Sequence, residues 1–186
     1  LIGAAITDGQ HDVMLFSDGG KAVRFAEQDL RPMGRNARGN KGMNLEPGQS
    51  VIAMLVAEDE TQSVLTATEH GYGKRTSIVE YTRHGRGTKG MIAIQQSDRN
   101  GKVVAATLVR PDDEIMLITD KGVLVRTRVA EIRELGRATQ GVTLIALDTG
   151  STLSGLQRIV ENDVSAEGTT DITPGDDNGS PTTETP

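Results

Sequence analysis

Short apolar runs such as VMLF, VIAMLVA, VVAATLV and IMLI recur along the first 160 residues, separated by breaks rich in Gly, Asp, Ser and Thr. Alternation over four to seven residues between turn-forming breaks is the pattern of strands, and no long stretch keeps the 3.6-residue period of an amphipathic helix. The pattern also repeats. Placing VMLFSDGGKAVRF (from Val13), VLTATEHGYGKRTSI (from Val64) and IMLITDKGVLVRTRV (from Ile115) one above another sets Gly20, Gly71 and Gly122 at a step of 51 residues. Arg24, Arg75 and Arg126 keep that step, and so do the pairs Gly34-Arg35, Gly85-Arg86 and Gly136-Arg137. Each pair opens a turn that ends in Lys41-Gly42, Lys89-Gly90 or Gln140-Gly141.

Within one unit, two runs joined by SDGG, EHGYG or TDKG read as a hairpin. Two further strands are expected around GMNL, GMIAI or GVTLIAL, and around VIAMLVA, VVAATLV or GLQRIV, with at most a helical turn in AEQDLRPM and its equivalents. Roughly four strands per ~50 residues is the density of a propeller blade. The expected fold class is therefore all-β, a propeller-like array of four-stranded blades. Its divisions are a closing strand and linker over residues 1–12 and blade repeats over 13–62, 63–114 and 115–163. LIGAAIT at the start resembles the closing strand of a preceding blade.

Composition narrows the function. No Cys is present, so a disulfide framework and a Cys-bearing zinc site are excluded. No run is long and apolar enough for a membrane helix or a secretory signal, and the expectation is a soluble, cytoplasmic protein without a membrane partner. The net charge of −6 conceals an asymmetry. All 20 basic residues lie at or before Arg158, and 7 of the 26 acidic ones lie at or after Glu161, which leaves residues 1–160 at +1. Residues 164–186, rich in Thr, Gly, Pro and Asp, cannot bury enough apolar surface to order themselves and are expected to form a disordered acidic tail.

The units DVMLFSDGGKAVRF, GYGKRTSIVEY and ITDKGVLVRTRVAEI, with their GR…KG turns and the acidic end, resemble the C-terminal domain of the bacterial DNA gyrase A subunit. The resemblance covers nearly all of residues 1–163. It implies a β-pinwheel, a propeller-like ring whose blades exchange strands, with this chain supplying the last three blades and the tail. It further implies a domain without catalytic residues that wraps duplex DNA for an ATP-driven, negatively supercoiling type II topoisomerase. The partners would be duplex DNA, the B subunit and the rest of the A subunit; ATP and Mg²⁺ would act elsewhere in the holoenzyme, with no cofactor here. One motif departs from the family: its Gln-Arg-Arg-Gly-Gly-Lys-Gly box is absent, the nearest string being Gly34-Arg35-Asn36-Ala37-Arg38-Gly39-Asn40-Lys41-Gly42. The resemblance places the intact box upstream of Leu1.

Duplex DNA presents a phosphate charge about every 1.7 Å of axis, so capture requires cations spaced along the backbone path. One basic turn per blade provides such a row, and glycine lets backbone N–H groups approach phosphate oxygens. The expected DNA-binding residues are Arg35, Arg38 and Lys41 in the first unit, Arg86 and Lys89 in the second and Arg137 in the third. Lys21, Lys74 and Arg75, near hairpin tips, are expected to extend the cationic edge. Arg24, Arg75 and Arg126 equally suit a second role, pairing with carboxylates to hold blades together. An isolated charged turn is ordinarily only solvated; recurrence at a fixed step favours the DNA reading. The alternatives are the equivalent domain of topoisomerase IV and a propeller that binds protein. Tyr81 shares its register with Leu30 and Ile132, a packed position, and His11, His70 and His84 lack paired ligand spacing, so neither a nucleophile nor a metal is expected. Gly19-Gly20-Lys21 is not a phosphate-binding loop, because the full motif is missing.

Overall fold

The computed structural model describes residues 1–160. Its elements are short strands and three single 3₁₀ turns, with no α-helix among the described residues. The first repeat forms β1 (Asp12–Ser17), β2 (Lys21–Ala26) and β3 (Val51–Ala57). The second forms β4 (Ser63–Thr68), β5 (Tyr72–Ser77), β6 (Met91–Ile92) and β7 (Val103–Val109). The third forms β8 (Glu114–Thr119), β9 (Leu124–Arg128), β10 (Val142–Thr143) and β11 (Leu153–Ile159). The 3₁₀ turns, Glu27–Asp29, Ile78–Glu80 and Val129–Glu131, fall in the three segments expected to hold a helical turn.

The hairpin sits in the middle of the first two sheets, whereas in the third β9 forms an edge; the strand pairings are all antiparallel. The orders are β3-β1-β2-β6, β10-β5-β4-β7 and β11-β8-β9. The fourth strand of the first sheet comes from the second repeat, through Lys21↔Ile92 and Ala22↔Met91. The second sheet borrows β10 from the third repeat in the same way, through Val142↔Gly73 and Thr143↔Tyr72. A blade is therefore not the same stretch of chain as a sequence repeat. GMNL, the matching segment of the first repeat, forms only one parallel bridge, Met43↔Thr88.

The closing strand expected at Leu1–Thr7 is not formed. Leu1 and Ile6 are fully exposed, and the segment passes close to Met54 without joining a sheet. A strand needs a partner edge, and the described residues include no hairpin ahead of β1 to offer one. GLQRIV, in contrast, makes the complete strand β11, because β8 presents a free edge to it.

The core lies between blades. Met14, Phe16 and Ala22 of the first blade pack against Val64, Ile78 and Tyr81 of the second. The Phe16 and Tyr81 rings meet edge to face at 5.9 Å. Leu65, Ala67 and Val109 pack likewise on Ile115, Leu117, Val129 and Ile132. Full burial contributes about 1.5–3 kcal/mol for each large apolar side chain, so neighbouring blades stabilise one another mainly through these faces. The third sheet has no further neighbour among the described residues, and Val123 and Leu124 are exposed.

Candidate nucleic-acid interface

The Gly-Arg turns are the crossings by which one repeat reaches the sheet of the repeat before it. Gly90 and Gly141 make the crossing possible. Both hold positive φ, +78° and +82°, and a Cβ at Gly141 would lie 2.7 Å from the Gly73 carbonyl oxygen, with one at Gly90 closer still to that of Ala22. Glycine at these positions serves strand exchange, a cause more immediate than approach to phosphate.

The arginines of the turns fasten the same crossings. Arg86 Nε donates to the Asp29 carbonyl at 3.1 Å, and Nη1 donates to the Lys41 carbonyl at 3.3 Å. One repeat later, Arg137 Nε donates to the Glu80 carbonyl at 3.2 Å and Nη1 to the Ile92 carbonyl at 2.7 Å. Backbone bonds complete the seam: Gly87 N–H to the Gly42 carbonyl at 2.6 Å, Asn44 N–H to Thr88 at 2.8 Å and Gln95 N–H to Thr139 at 2.9 Å. The 31–42 loop and the 85–90 turn are thereby held side by side, and the 136–141 turn is held against the segment that follows the second.

Arg35 occupies the same register, and the described residues hold no earlier repeat for it to contact. Arg35, Arg38 and Lys41 are exposed, and none has a side-chain partner among the described residues. Lys89 is 76% exposed and pairs with Glu46 at 2.9 Å, a surface contact worth at most about 1 kcal/mol that leaves the ammonium accessible. Arg86 remains exposed despite its two bonds, whereas Arg137 is half-buried. Lys41, Arg86 and Lys89 thus meet at one seam, Arg35 and Arg38 are exposed in the loop that leads to it, and Arg137 is half-buried at the next crossing. Sequence reasoning missed Arg31, exposed in the same loop. The available signal was its shared register with Arg133, also exposed.

Three expected contacts do not join this surface. Lys74 is fully buried in β5, and its Nζ donates to the carbonyls of Gly136, at 2.5 Å, and Arg137. The same register carries Val23 and Val125, so Lys74 stands at a core position and uses its charge to hold the next turn. Desolvation lowers its pKa to about 8, with Glu80 opposing the shift and Arg137 adding to it. Arg75 donates from Nε to the Ile132 carbonyl at 2.7 Å and lies 3.6 Å from Glu134, which makes it a clamp between blades. Lys21 starts β2 opposite Ile92, half-buried, and no contact ties it to the seam. Lys74 and Arg75 are therefore corrections: the register that suggested a cationic edge belongs to the contact between repeats. Arg24 resolves the same way. It is buried against Asp12 at 2.7 Å and Glu60 at 2.9 Å and donates to the carbonyls of Ile78 and Tyr81. Arg126 pairs with Glu114 inside its own hairpin.

Antiparallel sheets linked by strand exchange, with one Gly-Arg turn per repeat, define a propeller-type repeat protein. Comparison with known proteins places it more narrowly. The family described as DNA gyrase C-terminal domain, beta-propeller, matches residues 11–58, 62–110 and 113–159, and the chain belongs to that family. Over 161 residues, 87% of the chain, it is 55% identical to the DNA gyrase A protein of Pseudomonas aeruginosa and 49% identical to that of Escherichia coli K12. It spans only 17% and 18% of those proteins. Among solved structures, a DNA gyrase A C-terminal domain superposes with a TM-score of 0.77 at 28% identity, covering 83% of this chain and 52% of that one. The C-terminal domain of a DNA topoisomerase IV shares the fold, with a TM-score of 0.78 at 23% identity over 82% of this chain and 48% of that one. The expected family and the propeller-like, all-β class both hold.

Proposed function

We propose that the chain is a non-catalytic DNA-binding and DNA-bending part of a gyrase A subunit. Duplex DNA lies along the seam formed by Arg35, Arg38, Lys41, Arg86 and Lys89, and Arg137 adds positive potential at the recessed end. The observation that carries the reading is the exposed, side-chain-unpaired Lys41 held beside Arg86 and Lys89 of the next repeat, at the end of a loop that also exposes Arg35 and Arg38 without side-chain partners. Cations in this arrangement contact phosphates and read no bases, so binding is largely independent of sequence. Preference comes instead from how easily the duplex bends, at a cost of about 1–6 kcal/mol for a 40–90° bend.

In this reading the B subunit, the remainder of the A subunit, ATP and Mg²⁺ supply the strand-passage chemistry in the bacterial cytoplasm, and this part needs no cofactor of its own. The family membership supports that assignment, as does the 55% identity to a gyrase A protein. A salt titration of duplex affinity tests it. With about five phosphates neutralised, log K falls against log salt with a slope of roughly −4.5. A protein-binding propeller of the same fold shows no such slope and little duplex affinity at low salt.

A further inference from the structure

Ahead of β1 the chain turns back on the first blade through Gly9, at φ +92°. The turn is fixed by the Gln10 N–H on Asp8 Oδ1 at 2.9 Å, the Gln28 side-chain amide on the Gly9 carbonyl and the Glu27 N–H on the His11 carbonyl at 3.0 Å. These bonds bring three metal-ligating groups together from either side of the β1–β2 hairpin. One ligand atom each from Asp8, His11 and Glu27 lies within 4.8 Å of the others.

Two observations go beyond proximity. Both Glu27 carboxylate oxygens are shielded from solvent, and neither has a hydrogen-bond donor or a Lys or Arg partner among the described residues. The same register in the second and third repeats holds Ile78 and Val129, each fully buried, so a carboxylate has replaced an apolar plug without acquiring a donor. An unanswered shielded carboxylate costs several kcal/mol unless a cation meets it. His11 Nδ1, moreover, lies 3.0 Å from Asp8 Oδ1 without hydrogen-bond geometry. Neighbouring ligands at about 2.1 Å from one ion stand roughly 3.0–3.4 Å apart, so the spacing suits two donors directed at a shared centre.

We propose that Asp8, His11 and Glu27 bind one first-row divalent cation, zinc or manganese, which fastens the segment before β1 to the first blade. One imidazole nitrogen with two carboxylates is a donor set for such ions; magnesium and calcium favour all-oxygen sites. Water completes the coordination on the open Asp8 side, which is 64% exposed. Chain order conceals the site, because a whole hairpin separates His11 from Glu27.

The test is to titrate the metal-stripped chain with ZnCl₂ by calorimetry and with MnCl₂ by paramagnetic broadening of the His11 ring resonances. One equivalent of Zn²⁺ is expected to bind, Mn²⁺ to broaden His11 ahead of His70 and His84, and excess MgCl₂ to displace neither. His11→Ala and Glu27→Ile should each weaken Zn²⁺ binding at least about tenfold. The isoleucine variant carries the residue found at this register in the second repeat, so its fold is kept. Equal Zn²⁺ affinity in the parent and both variants overturns the proposal, as does a His11 ring that titrates with pH but ignores both metals, since a protonated His11 then answers Glu27 alone.

Discussion

The two contacts between blades use the same arginine register with different partners. In the first, Arg24 meets Asp12 from its own hairpin, and Arg83 of the next repeat reaches Asp12 from the other side at 2.8 Å. In the second, Ser63 stands where Asp12 stood and Glu134 where Arg83 stood, so the next repeat now supplies the carboxylate to Arg75. With Glu60, which also pairs with Arg24, counted in the first, both contacts are neutral, while the acid opposite the arginine changes sides. Mispairing is penalised as a result: the third repeat docked on the first would set Glu134 against Asp12. A repeat protein faces this hazard at every exchanged strand, and an acid that alternates sides fixes the order of its blades. The contacts also differ in depth. Arg24 and Asp12 are 7% and 4% exposed, against 17% and 50% for Arg75 and Glu134.

The largest expected effect follows from that depth. Arg24→Ala leaves the buried Asp12 carboxylate only the exposed Arg83 guanidinium and should cost about 3 kcal/mol in denaturant unfolding. Arg75→Ala loses one carbonyl bond and a half-exposed ion pair, and should cost about 1–2 kcal/mol. Equal costs would break the distinction. Next in size, Ser63→Asp places a second carboxylate beside Glu134 and should destabilise by about 1–2 kcal/mol. Adding Glu134→Arg rebuilds the first contact within the second, and a double-mutant cycle should return a favourable coupling of about 1–3 kcal/mol.

Lys74 sharpens the comparison by pH. Its folded pKa, about 8, lies below the ordinary 10.5, so the unfolded chain binds the proton more readily. Stability therefore rises as pH climbs from about 8 to about 10.5, and the burial penalty is fully present below 8. Lys74→Met should abolish that rise while leaving the profile below pH 8 flat relative to the parent. The smallest effect on stability is expected from Arg35→Ala, Arg38→Ala and Lys41→Ala together, within about 0.5 kcal/mol, because these exposed side chains have no hydrogen-bond or ion-pair partner among the described residues.

The strands were legible because a strand pattern repeated three times at one step leaves little room for another reading. The GR turns were legible for the same reason, though not their first duty. A register shows that a position is equivalent in each repeat, and cannot show whether its side chain faces the neighbouring blade, its own hairpin or the solvent. Lys74 and Arg75 were misplaced on this account, since a hairpin-tip lysine in sequence became a buried ammonium once the next repeat folded over it. The missing strand at Leu1–Thr7 has a different cause: its pattern was right, but hydrogen bonding needs an edge that lies outside the pattern. The acidic tail expected at residues 164–186 lies outside the described residues.

The most direct test of the seam is the salt slope of duplex binding in the chain carrying Arg35→Ala, Arg38→Ala and Lys41→Ala, compared with the parent. Each lost phosphate contact removes about 0.9 from the slope, so the triple variant should fall from roughly −4.5 to roughly −2, with weaker binding on every duplex sequence alike. An unchanged slope, or a loss confined to particular sequences, contradicts a phosphate-binding seam.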